Sequence, residues 1–156
     1  MQGGKDSVLR LIDRTRLGGL GGELQQVNTN AGQILTAPMA WNDPSGATWL
    51  FLTTARASIA YNVVTDESGR TVLREAWRVN TGGTSPLVAG GVLFIAGANG
   101  VLARDPSSGN QSWSSGQTSA GGNIGKSHWQ RPIVVAGRMY MADDDGHVIA
   151  YGLQGP

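Results

Sequence analysis

Two short apolar runs joined by a pair of glycines decide the fold of this chain: residues 85–96 read SPLVAGGVLFIA. Both runs contain residues that favour strands, and adjacent glycines supply the positive backbone angles that a two-residue hairpin turn requires. The stretch therefore predicts a β-hairpin with strands at 85–89 and 92–96, joined by Gly90 and Gly91.

The residues that follow extend this hairpin into a larger antiparallel sheet. Asn99 and Gly100 predict a second hairpin turn, which leads into a strand at 101–105. A turn rich in Ser and Gly comes next, and then a strand at 111–114 that carries Trp113. The segment thus predicts four antiparallel strands in one unit.

The same pattern occurs three times along the chain. A second copy lies 46 residues later, with Pro132 in the place of Pro86, and a looser copy begins 48 residues earlier, at Pro38. The copy from Pro38 ends in a predicted strand that carries Trp77, whereas the copy from Pro132 has only three predicted strands, the last reaching Leu153. This period is close to the roughly 40–50 residues of one propeller blade.

The N-terminal residues fit the end of an earlier copy. Residues 8–13 match the strand at 101–105, and residues 23–27 form a candidate outer strand. The apolar residues at 8–12 also lie on one face of a helix that Ser7 could cap, so a helix is the alternative. The repeat match favours the strand.

The chain is therefore predicted to be all-β. It would form a single partial β-propeller of about three blades, each a four-stranded antiparallel sheet. The predicted blades are residues 1–30 (the end of one blade), 31–80, 81–120 and 121–156 (an incomplete last blade). An open array of this kind leaves two blade faces uncovered, which predicts marginal solubility or self-association of the isolated chain.

Composition excludes several classes of function. The 12 Lys and Arg residues are scattered and the net charge is +1, which argues against nucleic-acid binding. The absence of Cys excludes disulfides, thiolate metal sites and thiol nucleophiles. No apolar run approaches the roughly 20 residues of a transmembrane helix, and the polar start of the chain shows no signal peptide.

The repeat resembles a known family. Residues 85–96, followed by GVLARD at 100–105 and SGNQSW at 108–113, are similar to the repeat of pyrroloquinoline-quinone (PQQ)-type β-propellers. That repeat runs from a Pro-initiated strand through a Gly turn, an Ala-x-Asp strand and a Ser-Gly turn to a closing Trp. The resemblance covers residues 37–153 and implies that Trp77 and Trp113 dock one blade on the next.

The resemblance implies two alternative functions. Some members are quinoprotein dehydrogenases that bind the quinone and calcium, while others, such as the outer-membrane barrel-assembly lipoprotein, are cofactor-free binding platforms. We expect a non-catalytic binding or scaffold module of a larger periplasmic or extracellular protein, with no catalytic residue and no cofactor in this chain. The alternative is the C-terminal part of a PQQ-dependent dehydrogenase that oxidises alcohols or sugars with PQQ and calcium.

The same resemblance suggests what this chain would contact. Propellers of the family usually have seven or eight blades, so the chain corresponds to the C-terminal portion of a longer ring. Its expected partners are the remaining blades of a longer parent chain or other copies of itself. The protein or small molecule that the parent would bind is left open.

Two Gly-rich segments resemble nucleotide-binding motifs. Residues 120–127, AGGNIGKS, satisfy a relaxed P-loop pattern, but a polar stretch precedes them and Pro132 prevents a long helix after them. Residues 18–22 resemble half of a dinucleotide fingerprint, in which Leu24 occupies the place of the third Gly. Both are interpreted as loops.

Five residues near the C-terminus are the candidate site residues. Asp143, Asp144 and Asp145 could together hold a hard cation such as calcium, although the Asp-Gly that ends this run is also a standard turn, which is the interpretation we favour. His128 and Trp129 precede the last Pro-initiated strand. They could line a ligand-binding rim, although a packing role is the interpretation we favour.

Overall fold

The fold is all-β, as the sequence predicts. The computed structural model describes residues 1–98, 100–117 and 124–152, and within these ranges the chain forms four antiparallel sheets and no α-helix. Its fold class is that of a partial β-propeller built from sheets of three or four strands. None of the described helical segments has the length and hydropathy to cross a lipid bilayer.

The chain forms two compact units, Met1–Gly82 and Gly83–Pro156. In the first unit, sheet 1 contains β1 (Gln2–Gly3), β2 (Val8–Leu11) and β3 (Gln25–Asn28), and sheet 2 contains β4 (Met39–Asn42), β5 (Thr48–Thr53), β6 (Ser58–Thr65) and β7 (Thr71–Val79). In the second, sheet 3 contains β8 (Leu87–Ala89), β9 (Val92–Gly97), β10 (Gly100–Arg104) and β11 (Gln111–Ser114), and sheet 4 contains β12 (Ile133–Val135), β13 (Arg138–Ala142) and β14 (Val148–Gly152).

The N-terminal segment is a strand and not the alternative helix. Strands β2 and β3 lie where the sequence predicts two strands, and β1 adds a third that the pattern did not indicate. Gly3, in β1, packs so closely on Ile34 that a Cβ at this position would overlap with the Ile34 side chain. A two-residue strand has no periodicity to detect, which explains why it was missed.

The internal repeat is visible in the register of the strands. In sheet 3, Leu87 lies opposite Phe94, and in sheet 4 the equivalent pair is Ile133 and Tyr140, 46 residues later. The predicted turn at Gly90 and Gly91 has positive φ angles of 56° and 76°. Asn99, part of the second predicted turn, lies outside the described residues.

Each unit has its own apolar core between its two sheets. In the first unit, Leu9 of sheet 1 packs with Leu50, Leu52 and Ile59 of sheet 2, and all four are 0% exposed. In the second unit, sheets 3 and 4 enclose a core of buried residues: Ala96, Val101, Ile124, Met139 and Met141. Because burial of one such aliphatic side chain stabilises a fold by about 1.5–3 kcal/mol, neighbouring sheets hold each other in place.

One Asp-based turn recurs at the ends of strands. Asp43 Oδ1 accepts hydrogen bonds from the backbone N–H groups of Ser45 and Ala47, each at 2.9 Å, and the Asp43 N–H donates to the Ala47 carbonyl. Asp66 makes the same bonds with Ser68 and Arg70. Because the Asp side chain satisfies backbone donors at the point where strand pairing ends, the pattern Asp-x-Ser-Gly is a structural signal.

Candidate ligand-binding rim

The structure brings the two predicted sets of site residues together. The segment before β12 and the turn between β13 and β14 lie side by side, and the backbone N–H of Asp144 donates to the carbonyl of Lys126 at 2.9 Å. His128 Nδ1 contacts Asp144 Oδ2. We call the surface formed by His128, Trp129, Gln130 and Asp144 the rim.

Gln130 fixes the backbone of the rim. Its Oε1 accepts hydrogen bonds from the N–H groups of His128 and Trp129, both at 2.9 Å, and its Nε2 donates to Asp144 Oδ1 at 3.0 Å. The amide of Gln130, followed by the contact with His128, holds the pKa of Asp144 below its ordinary value. The sequence did not single out Gln130, because an isolated Gln before a strand carries no pattern.

Trp129 is presented to solvent by this arrangement. Its side chain is 63% exposed and its ring stacks beside that of His128 with centroids 6.3 Å apart. An indole packed in a core would be far less exposed, so Trp129 is not packed within the part of the chain that the structure describes. A fixed, exposed aromatic ring is suited to contact with a ligand or a partner.

Asp143 belongs to a turn of the same kind as Asp43 and Asp66. Its Oδ1 accepts from the N–H groups of Asp145 and His147, at 3.0 and 2.8 Å, and its Oδ2 accepts from the Gly125 N–H at 3.1 Å and lies 2.9 Å from His147 Nδ1. Burial opposes its charged form, but these donors outweigh burial and hold the pKa of Asp143 below its ordinary value. Gly125 is needed here because a Cβ would lie 2.8 Å from Asp143 Oδ2.

The candidate cation residues do not match the ligand set that calcium prefers. Potential ligand atoms of Asp143, Asp145 and His147 lie within 4.8 Å of one another, whereas Asp144 is engaged by the rim. Both oxygens of Asp143 already face two nitrogen groups each. Calcium takes 6–8 oxygen ligands. A calcium ion would therefore have to displace the hydrogen bonds that build the turn.

The pair of His147 and Asp143 predicts a pH dependence. Hydrogen bonding to Asp143 raises the pKa of His147, so this pair stabilises the fold fully below the unfolded-state pKa of His, about 6.5, and less as pH rises through the folded value. The lowered pKa of Asp143 limits the stability of the fold at acid pH. The stabilisation by the Asp143 carboxylate is present above the unfolded-state pKa of Asp, about 3.9, and is lost as pH falls through the pKa of Asp143 in the folded chain.

We therefore expect Asp143→Asn to lower the pKa of His147 towards 6.5, measured from the pH dependence of its imidazole NMR signals. In urea melts, the stability lost in this variant should be larger at pH 5.5 than at pH 9. Asp145→Asn is the matched control, because Asp145 contributes least to the shift of His147. An unchanged His147 pKa in Asp143→Asn would contradict the assignment.

The remaining predicted residues have contacts of their own. Trp113 contacts Tyr151 of the neighbouring sheet edge-to-face, with ring centroids 5.5 Å apart, and Trp77 lies 6.0 Å from Phe51 of its own sheet. Of the P-loop-like segment, residues 120–123 lie outside the described residues, and residues 124–127 form neither helix nor strand. The Gly18–Gly22 segment is a loop, as predicted.

A shallow concavity of about 330 Å³ lies under the Gly18–Gly22 loop in the first unit. Arg10 lines it, but the guanidinium is paired with Asp6 at 2.5 Å and with Glu23 at 3.4 Å. Since both carboxylates compensate this charge, the concavity offers no free cation to an anionic ligand.

Comparison with known proteins identifies one family. The model of the family described as outer membrane protein assembly factor BamB, a PQQ-type repeat, matches residues 60–155, which is more than half of the chain. The match includes the whole of the rim. No curated protein matches the chain significantly.

Proposed function

The chain belongs to the family of the outer membrane protein assembly factor BamB, and on that basis we propose that it is a non-catalytic binding module. It would act outside the cytoplasm, in the periplasm or at the outer membrane, as part of a larger assembly. Its partners would be proteins, and the rim would be one of its contact surfaces.

The observation that carries this proposal is the fixed exposure of Trp129. Ordering a mobile side chain costs binding energy, so a ring that is already held in place binds more tightly. Gln130 accepts hydrogen bonds from the backbone N–H groups of His128 and Trp129, and Asp144 in turn holds the amide of Gln130. Trp is also among the residues that contribute most to protein interfaces.

The alternative, part of a PQQ-dependent dehydrogenase, requires carboxylates free to bind calcium. In the described residues the Asp side chains that end strands are used by their own turns, as at Asp43, Asp66, Asp105 and Asp143. This use of the carboxylates favours the binding module over the dehydrogenase.

A cofactor titration separates the two functions. We expect the chain, mixed with PQQ and Ca²⁺, to show no saturable change in the quinone absorbance and no dye-linked oxidation of alcohols or sugars. Saturable, Ca²⁺-dependent binding with turnover would overturn the proposal.

A crosslinking experiment tests the binding role directly. A photoreactive phenylalanine analogue in place of Trp129 should give a discrete protein adduct in the native host. The same analogue in place of Glu67, exposed in a turn of the first unit, is the control. Equal adducts at both positions would argue against a contact surface at the rim.

A further inference from the structure

The loop between β2 and β3 is longer than its counterparts in the other sheets. It spans residues 12–24, which is thirteen residues, whereas the loops between the last two strands of sheets 2 and 3 span residues 66–70 and 105–110, five and six residues. An insertion in one copy of a repeat often carries a binding surface. We call residues 12–24 the leucine loop, because three of its leucines are exposed: Leu17, Leu20 and Leu24.

Glycines fix the tip of the leucine loop. The Gly22 N–H donates to the Gly19 carbonyl at 3.2 Å, which closes a β-turn with Leu20 and Gly21 at its centre. Gly21 has a φ of 74°, the positive angle that a type II turn needs at this position. A Cβ on Gly22 would lie 2.5 Å from backbone atoms of Gly18, so the chain closes on itself below the turn. Leu20 is therefore held at the corner, where it is fully exposed.

The base of the loop is fixed by hydrogen bonds as well. The Leu24 N–H donates to the Leu11 carbonyl at 2.8 Å. Asp13 Oδ1 accepts hydrogen bonds from the backbone N–H and the hydroxyl of Thr15, at 2.9 and 2.6 Å. Because a surface that is ordered before binding loses less freedom when it binds, the loop presents its leucines at a small entropic cost.

The charges that the leucine loop exposes are positive. Arg14 and Arg16 are exposed, whereas the two acidic residues of the loop, Asp13 and Glu23, are half-buried. The Glu23 carboxylate is paired with Arg10, and the Asp13 carboxylate accepts the hydrogen bonds that fix the base. The loop therefore offers solvent two guanidinium groups beside exposed aliphatic side chains.

This combination suits the surface of an anionic bilayer. Leucine side chains enter the boundary between headgroups and acyl chains, and arginine side chains keep their charged ends at the level of the lipid phosphates. Such binding strengthens with the apolar area buried and with the negative charge of the lipids. A protein partner would need a groove shaped to receive the protruding tip, whereas a bilayer needs no complementary shape.

We propose that the leucine loop is a membrane contact. Leu17 and Leu20 enter the interface of an anionic bilayer, and Arg14 and Arg16 bind lipid phosphate groups. This contact belongs to the first unit and takes a different class of partner from the rim, which belongs to the second. It therefore does not depend on the proposed protein-binding role.

A fluorophore at the tip of the loop tests the proposal. The sequence contains no Cys, so Leu20→Cys provides a single attachment point for nitrobenzoxadiazole, whose emission shifts to the blue in an apolar medium. We expect a blue shift and at least a twofold rise in intensity with vesicles of equimolar phosphatidylglycerol and phosphatidylethanolamine. Glu67→Cys, in the exposed turn between β6 and β7, is the matched control and should not respond. No shift at position 20, or an equal shift at both positions, would overturn the proposal.

Flotation of the unlabelled chain with the same vesicles assigns the binding to side chains. We expect the double variant Leu17→Ser/Leu20→Ser to bind at least fivefold less. The double variant Arg14→Gln/Arg16→Gln should bind at least threefold less, and NaCl should weaken the wild type because salt screens the attraction. Arg74→Gln, at an exposed position of β7, should bind like the wild type. Binding that is unchanged without the two leucines would overturn the proposal.

A crosslinking experiment distinguishes a bilayer from a protein partner. A photoreactive analogue in place of Leu20 should form adducts with lipid in the native host. A discrete protein adduct without lipid adducts would overturn the proposal and assign the leucine loop to a protein interface. Because Leu20 is fully exposed, these substitutions should leave the fold unchanged.

Discussion

Gly82→Ala is expected to lower the free energy of unfolding by about 3 kcal/mol, the upper end of the usual cost of overpacking. The added Cβ would overlap with the Thr54 carbonyl oxygen and would lie 2.5 Å from the carbonyl oxygen of Ala55. Both obstacles are backbone atoms at the turn between β5 and β6, so no side-chain rotation can relieve them. Urea unfolding followed by tryptophan fluorescence measures the loss.

Gly116→Ala is the matched control for this substitution. Its Cβ would meet only the Ser114 hydroxyl, at the ordinary contact distance of 3.7 Å. We expect it to be neutral or to stabilise the fold by up to about 1 kcal/mol, because alanine restricts the unfolded chain. Equal stability of Gly82→Ala and the wild type would show that the chain does not pass this close to the Thr54 turn.

Gly82 also illustrates what the sequence could not predict. The hairpin glycines Gly90 and Gly91 were predicted because a two-residue turn between apolar runs demands positive φ. Gly82 lies outside any such pattern, and its role depends on a turn 27 residues earlier in the chain. Close approach between distant segments leaves no local signal.

The repeat made most of the fold predictable, because each copy repeats the same strands and turns. The register differs where the turns differ. Ala96 lies opposite Val101, but the equivalent Ala142 lies opposite Val148, one residue further along, because the Asp143 turn is longer than the turn it replaces. Aligning Gly100 with Gly146 as two turn glycines was therefore wrong for Gly100, which is the first residue of β10 and pairs with Gly97, whereas Gly146 lies in the turn before β14.

The candidate site was predictable in its residues and not in their arrangement. His128 and Asp144 were both candidate site residues, yet fifteen residues lie between them in the sequence and only the folded chain brings them into contact. The acidic run at 143–145 was read as a potential cation site or a turn. The hydrogen bonds of Asp143 form a turn, because they repeat those of Asp43 and Asp66.

Trp113→Ala is expected to cost about 2–4 kcal/mol of unfolding free energy, since Trp113 is part of the core between sheets 3 and 4. Its ring lies edge-to-face on Tyr151, a geometry that adds about 0.5–1.5 kcal/mol beyond the buried area. Trp129→Ala removes an indole that is 63% exposed and should change stability by less than about 0.5 kcal/mol. Urea melts of both variants give the comparison.

A double-mutant cycle distinguishes docking between sheets from closure of a single sheet. If Trp113 docks sheet 3 on sheet 4, its loss and the loss of the Tyr151 ring in Tyr151→Leu should be non-additive by about 0.5–1.5 kcal/mol. If Trp113 only packs within its own sheet, beside Ala103 of β10, Trp113→Ala should still destabilise the chain, but the two losses should add. If the losses of unfolding free energy in the two single variants simply add in the double variant, the docking role of Trp113 is contradicted, even when each single variant is destabilised as expected.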